Sequence, residues 1–188
     1  QYGGLWSRRP VSAICYLVGA ASLVALPPLG GFWSLAQLAT NLAQEAWGLF
    51  ALLLGVNGLT AFSMARLFGL LFLGEPTDFT RRSPEGLWPL VLPMTSLMGF
   101  ALHLPLVLAE LDLLPSRAVV LGAPALALVG STLLGTGIGG LFYGLRRAQL
   151  PIQLSSPAVQ DFFAYDLYTA KLYKLTIVFA IAAVSNAI

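Results

Sequence analysis

A run of apolar residues from Val11 to Ala43 is interrupted at its centre by Leu26-Pro27-Pro28-Leu29-Gly30-Gly31-Phe32-Trp33-Ser34. The flanks, 11–25 and 35–43, are each too short to cross a bilayer, which takes about 20 apolar residues as helix. Joined, they reach across with an unwound centre. Pro27 and Pro28 supply no amide donor and Gly30-Gly31 is a poor helix former, so carbonyls at membrane depth lose their partners. Such backbone is tolerated only where protein or a water-lined cavity satisfies it, and interrupted spans therefore mark ion and substrate paths. A proline kink that serves helix packing alone is the competing account of the same residues.

Composition sets the solvent. Of 188 residues, 57% are hydrophobic and 10% charged, against about 25% charged in a soluble domain. With a mean hydropathy of +0.81, the chain is expected to be an integral membrane protein or a piece of one. It opens without Met, lacks a signal-peptide layout and stops within the apolar run 183–188, which fits an internal piece of a longer protein. Cys15 is the lone cysteine, so a disulfide within the chain, a Cys-based zinc site and iron–sulfur ligation are excluded. It reads as a small buried apolar residue.

Further apolar runs fall at 46–73, 87–110 and 118–145, each long enough to cross. The expected fold is an all-α integral membrane protein of about four transmembrane helices, the first discontinuous, followed by an amphipathic lateral helix on the surface. Residues 1–147 would hold the spans, 148–157 a linker, and 158–188 the start of the lateral helix, whose Tyr and charged residues suit the interface. If the runs alternate in direction, Arg8, Arg9, Arg81, Arg82, Arg146 and Arg147 share one side, and Glu45, Glu110, Asp112 and Arg117 the other. This positive-inside division makes the arginine-rich side cytoplasmic or its equivalent. Trp6, Trp47 and Trp88 sit at span ends, as interfacial anchors do.

Ionisable groups at membrane depth are costly and mark function by default. Arg66 lies about 12 Å inside the second run at ~1.5 Å per residue, and either snorkels to the interface or joins a polar relay. His103 precedes Leu104-Pro105 and is either a neutral partner to a neighbouring helix or a proton-transfer group. Small residues in the fourth run (Gly130, Ser131, Gly135, Gly139, Gly140 and Gly144) predict a close helix approach. The Gly135–Gly140 stretch is no dinucleotide loop, because it follows no strand. Asp166, Lys171 and Lys174 form a charged face or plain solvated surface. No metal cluster, catalytic triad or Walker loop is visible, and no self-sufficient active site.

The residues Gly3-Gly4-Leu5, Pro10, Leu17-Val18-Gly19-Ala20 and the interrupted stretch 26–34 resemble the antiporter-like, NdhF-type subunit of complex I. The run Asp166-Leu167-Tyr168-Thr169-Ala170-Lys171-Leu172-Tyr173-Lys174 is similar to the opening of that subunit's lateral helix. The resemblance implies that 26–34 lies in the second discontinuous helix of a proton-channel fold, with Pro27, Pro28, Gly30 and Gly31 as the break. It also implies Ser34, Arg66 and His103 as candidate polar steps, and Asp166, Tyr168, Lys171, Tyr173 and Lys174 as candidate subunit contacts. One departure matters. The family continues Ser-Lys-Asp after the aromatic residue, the Lys being a buried proton carrier, whereas this chain reads Ser34-Leu35-Ala36.

That loss is similar to the divergence of photosynthetic, cyanobacterial type-I NAD(P)H dehydrogenase subunits serving carbon dioxide uptake. The implied setting is a thylakoid membrane, with plastoquinone and iron–sulfur clusters held by other subunits and no cofactor in this chain. The implied partners are other membrane-arm subunits, a carbonic-anhydrase-like protein and lipids, with no nucleic acid. Two alternatives stand beside it: an Mrp-type cation/proton antiporter subunit, and a docking scaffold whose channel Leu35 has silenced.

Overall fold

The computed structural model describes residues 3–145, and all regular structure among them is helical. The apolar run does break where its prolines stand. α1 spans Pro10–Leu23 and α2 spans Gly30–Glu45, with Val24 to Leu29 between them outside any helix. α1 starts at Pro10, where a missing N–H costs nothing because the first helical amides have no intrahelical acceptor. Donors of its first turn find an acceptor elsewhere: the Glu85 carboxylate accepts from Val11 N at 2.9 Å and from the Ser12 hydroxyl at 2.6 Å. After α2, Ala46 alone turns the chain (φ −150°, ψ 77°) into α3, Trp47–Leu71.

Two short helices lie in the connecting segments, α4 at Asp78–Arg81 and α6 at Arg117–Val120. α5 spans Trp88–Glu110 and runs on through Pro93 and Pro105. α7 spans Ala123–Gly139 and passes into a π-helical turn at Gly140–Leu145. The fourth apolar run is therefore not one rod. Gly122 is extended (φ −66°, ψ 153°) and Pro124 stands in the first turn of α7, so the chain stops after Val120 and restarts. By length and composition α3, α5 and Ala123–Gly144 can each cross a membrane, and α1 is a shorter apolar helix. The protein is an integral membrane protein with a discontinuous first span, as its sequence predicts. The linker 148–157, the lateral stretch 158–188 and the arginines at 146 and 147 lie outside the described residues.

α3 and α7 run parallel and set the core. Asn57 meets Ser131 and Thr132, Gly58 meets Gly135, Ala65 meets Gly139, and Gly69 meets Tyr143. A Cβ on Gly139 would stand 2.8 Å from the Ala65 Cβ, so the two backbones approach only because this row of α7 is bare. Parallel runs are what alternation demands of the second and fourth spans. Ala25, Phe32, Ala36, Ala125 and Leu128 form the buried cluster that joins the break and α2 to α7.

At the arginine-rich end, Arg9 Nη2 donates to Ser83 Oγ at 2.5 Å, which brings the loop before α1 to the loop before α5. Gly4 N and Trp6 N bond the carbonyls of Leu73 and Phe72, both at 3.0 Å, and fasten the N-terminal segment to the end of α3. Trp6, Tyr16, Phe68 and Phe72 stack there as an aromatic group. Trp47 and Trp88 open α3 and α5, 70% and 78% exposed, which suits indoles at a lipid–water boundary.

Candidate functional site at the broken span

The break is a built feature, held by backbone and side chains of α1, α2, α5 and α7. Pro27-Pro28 is a cis peptide, and Ala25 takes a left-handed conformation (φ 58°) while fully buried. A non-glycine residue held so costs about 1–2 kcal/mol, which the surrounding packing must sustain. Inside the gap the chain closes what bonds it can. Leu26 N donates to Ala21 O at 2.9 Å, and Leu29 N to Leu26 O at 3.1 Å. Trp33 Nε1 reaches back to Pro28 O at 3.1 Å, and Gly31 N donates to Ser22 Oγ at 3.2 Å. Gly31 is glycine because a Cβ there would collide with the Ser22 carbonyl. The end of α1 and the start of α2 thus lie against each other.

One freed carbonyl goes to a neighbour. Thr132 Oγ1 donates to Val24 O, across from α7 to the first residue of the gap. Asn57 Nδ2 donates to Thr132 Oγ1 at 2.8 Å and to Ser131 Oγ at 2.9 Å. Ser131 Oγ in turn donates to Leu128 O at 2.7 Å. Asn57 is 6% exposed and Thr132 is 0% exposed, so this polar group sits inside the apolar bundle. On the other flank, Pro105 of α5 faces Gly30 at 3.8 Å from where its Cβ would stand. Pro105 carries no N–H, so a second interrupted ladder borders the first.

Among the sequence-predicted residues, Pro27, Pro28, Gly30 and Gly31 lie at the break. Ser34 is exposed on α2 and its Oγ donates to Gly31 O at 3.1 Å. Arg66 is exposed near the end of α3, with its guanidinium 5.2 Å from the centre of the Tyr143 ring. His103 is exposed on α5 and its Nδ1 shares a hydrogen bond with Gly99 O at 2.9 Å. Among the described residues no hydrogen bond links these three to one another. Leu35 packs against the buried cluster of Ala25, Phe32 and Ala36. Asp166, Tyr168, Lys171, Tyr173 and Lys174 lie outside the described residues. Asn57, Thr132 and the bonding role of Ser131 are not among the sequence-predicted features, because none of the three is ionisable. The signal was present: Asn57 is the one amide side chain in the run 46–73, and a polar side chain in a span seeks a partner on the next helix.

Residues 1–62, which hold the whole of this break, match the model of a family described as NADH:quinone oxidoreductase/Mrp antiporter, TM. The NAD(P)H-quinone oxidoreductase subunit 5, organellar chromatophore 2, of Paulinella chromatophora is 36% identical over 95% of this chain. The chain is of the NdhF type, antiporter-like. It spans 29% of the length of that Paulinella relative. The NAD(P)H-quinone oxidoreductase chain 5 of Synechocystis is 33% identical over 38% of this chain, covering 11% of its own length. A Na(+)/H(+) antiporter component of Alkalihalophilus pseudofirmus is 32% identical over 54% of this chain, covering 22% of its own length. The NdhF-type chain is thus similar to relatives named as NAD(P)H-quinone oxidoreductase subunits and to one named as a Na(+)/H(+) antiporter subunit.

Proposed function

We propose that this NdhF-type chain is part of a membrane-arm subunit of a photosynthetic type-I NAD(P)H dehydrogenase, a plastoquinone reductase, and that it takes part in proton translocation coupled to electron transfer. The single observation that carries the reading is the discontinuous span, with a freed carbonyl bonded to another helix in the middle of an apolar bundle. The chain itself holds no redox centre in this reading. Quinone and iron–sulfur clusters belong to other subunits, and neighbouring antiporter-like subunits and lipids are its partners. Ser34, Arg66 and His103 are its candidate polar steps, and the 158–188 stretch with Asp166, Tyr168, Lys171, Tyr173 and Lys174 is its contact with neighbours. The relatives named from a chromatophore and from Synechocystis support a thylakoid location. The arginine-bearing loops face the cytoplasm by the charge rule.

The finer form of the reading concerns Leu35. Where the family resemblance places a proton-carrying Lys, an alkyl side chain packs into the core. We assign this to the variant that supports carbon dioxide hydration beside a carbonic-anhydrase-like partner.

The test is the complete complex reconstituted in vesicles, comparing the natural protein with a Pro27→Ala/Pro28→Ala double variant. The reading expects quinone reduction to continue while the number of protons moved per electron falls. Unchanged proton movement overturns it. A second reading, a component of an Mrp-type antiporter, has the similarity to the Alkalihalophilus protein behind it; it expects sodium-driven proton exchange without any electron donor. Leu35→Lys addresses the silenced scaffold: altered proton movement or carbon dioxide uptake argues for a working channel, and no change in either argues for the scaffold.

A further inference from the structure

We propose that Thr132, positioned by Asn57, is the proton seal of the broken span: its hydroxyl holds the Val24 carbonyl so that water and protons do not pass through the gap. The inference rests on the proton-translocation reading and adds to it the element that prevents leakage.

The hydrogen-bond directions carry the argument. Thr132 has one hydroxyl hydrogen, and it lies on Val24 O. The two amide hydrogens of Asn57 go to Ser131 Oγ at 2.9 Å and Thr132 Oγ1 at 2.8 Å. The Ser131 hydrogen goes to Leu128 O at 2.7 Å. Both branches therefore start at an amide that does not titrate near neutral pH and end on carbonyls that only accept. A proton wire needs each member to take a hydrogen on one side and release one on the other. Ser131 and Thr132 meet that condition, but the amide at one end and the carbonyls at the other neither release nor take up a proton near neutral pH, so the chain is an insulator in this arrangement.

Its surroundings agree. Ala25, Ala36 and Leu128 are fully buried and Phe32 is 2% exposed, and together they pack about the gap. Leu35 lies against the same cluster. The alternatives in the network converge on Leu128 O, which lies 3.4 Å from Asn57 Nδ2 and 3.2 Å from Thr132 Oγ1, one turn back on the same helix. Rotation of the hydroxyl toward that acceptor releases Val24 O without breaking α7, which gives the seal an open position.

The experiment uses the complete complex in sealed vesicles carrying a pH gradient and no electron donor. Thr132→Val keeps the shape and removes the hydroxyl, whereas Thr132→Ser keeps the hydroxyl. The seal predicts passive proton leak about tenfold faster in Thr132→Val, the ratio that one hydrogen bond supports, and natural leak in Thr132→Ser. It also predicts faster hydrogen exchange at the Leu26 and Gly31 amides in the valine variant alone. A valine variant that assembles, reduces quinone normally and neither leaks nor exchanges faster overturns the proposal. Where Thr132→Val does not assemble, Thr132→Ala, which needs no added volume, is read the same way. Comparison with the Pro27→Ala/Pro28→Ala variant separates the two claims. Leak in Thr132→Val with unchanged pumping in the proline variant sinks translocation and leaves the seal. Lost pumping without leak does the reverse.

Discussion

Glu85 shows how a single loop carboxylate organises the arginine-rich end. It accepts from Val11 N and Ser12 Oγ, occupying the partly positive start of α1 where an anion is favoured. Burial alone raises its pKa, but the hydrogen bonds from Ser12 Oγ and the backbone of Val11, Gly86 and Ser12 outweigh it and hold the group below the ordinary carboxylate value. Because the folded value is depressed, the stabilisation is fully present above the unfolded carboxylate pKa, near 4.3–4.5, and is lost as pH falls through the folded value. The thermal stability of the detergent-solubilised protein should therefore fall on acidification below about pH 4.5, and Glu85→Gln should flatten that part of the profile. An identical acid dependence in the variant would contradict the assignment. At Asn57 the expectation is a modest stability loss. Asn57→Leu removes the bonds to Ser131 and Thr132, and interhelical bonds in membranes are worth about 0.6–1.7 kcal/mol. Detergent-titrated unfolding measures it, and a cost well above that range would mean the amide also orders the break.

Between elements, the bare row of α7 and the gap between α1 and α2 are the two places where volume decides the structure. Gly135→Leu drives a side chain into Gly58 and Ala61 of α3, and overpacking of this kind costs about 1–3 kcal/mol. The same substitution at Gly137, which has nothing within 4 Å of its Cβ position, should cost far less in the same unfolding titration. Equal losses would mean that α7 faces α3 differently. The positions of these elements were largely legible beforehand. Two prolines beside two glycines forced the break, and four-residue spacing of small residues forecast the close approach of α7. The interruption at Gly122 was not legible from hydropathy, since 118–145 is apolar throughout; Pro124 was the local clue. The polar group at the centre escaped for a different reason. Asn57, Ser131 and Thr132 carry no charge, and only the fold brings Asn57, the two hydroxyls and the Val24 carbonyl, so distant in sequence, into one network.

For the molecule as a whole, the outward surface is a lipid surface. Leu52, Leu59, Leu97, Leu106 and Leu134 are each more than half exposed along α3, α5 and α7. Without hydrocarbon or neighbouring subunits these faces associate, so residues 1–188 alone should not yield a monodisperse monomer in plain buffer. Size-exclusion chromatography without detergent checks this, and a single sharp monomer peak would refute it. The account stands on an unwound turn at mid-membrane whose Val24 carbonyl is answered by Thr132. The measurement that tests it most directly is a density map of the intact complex in a lipid nanodisc, at a resolution that traces main chain. It should show helix ending at Leu23, helix resuming at Gly30, and the turn between them more than about 10 Å from either headgroup layer. A continuous rod through Pro27 and Pro28, or a break lying in the headgroups, would contradict it.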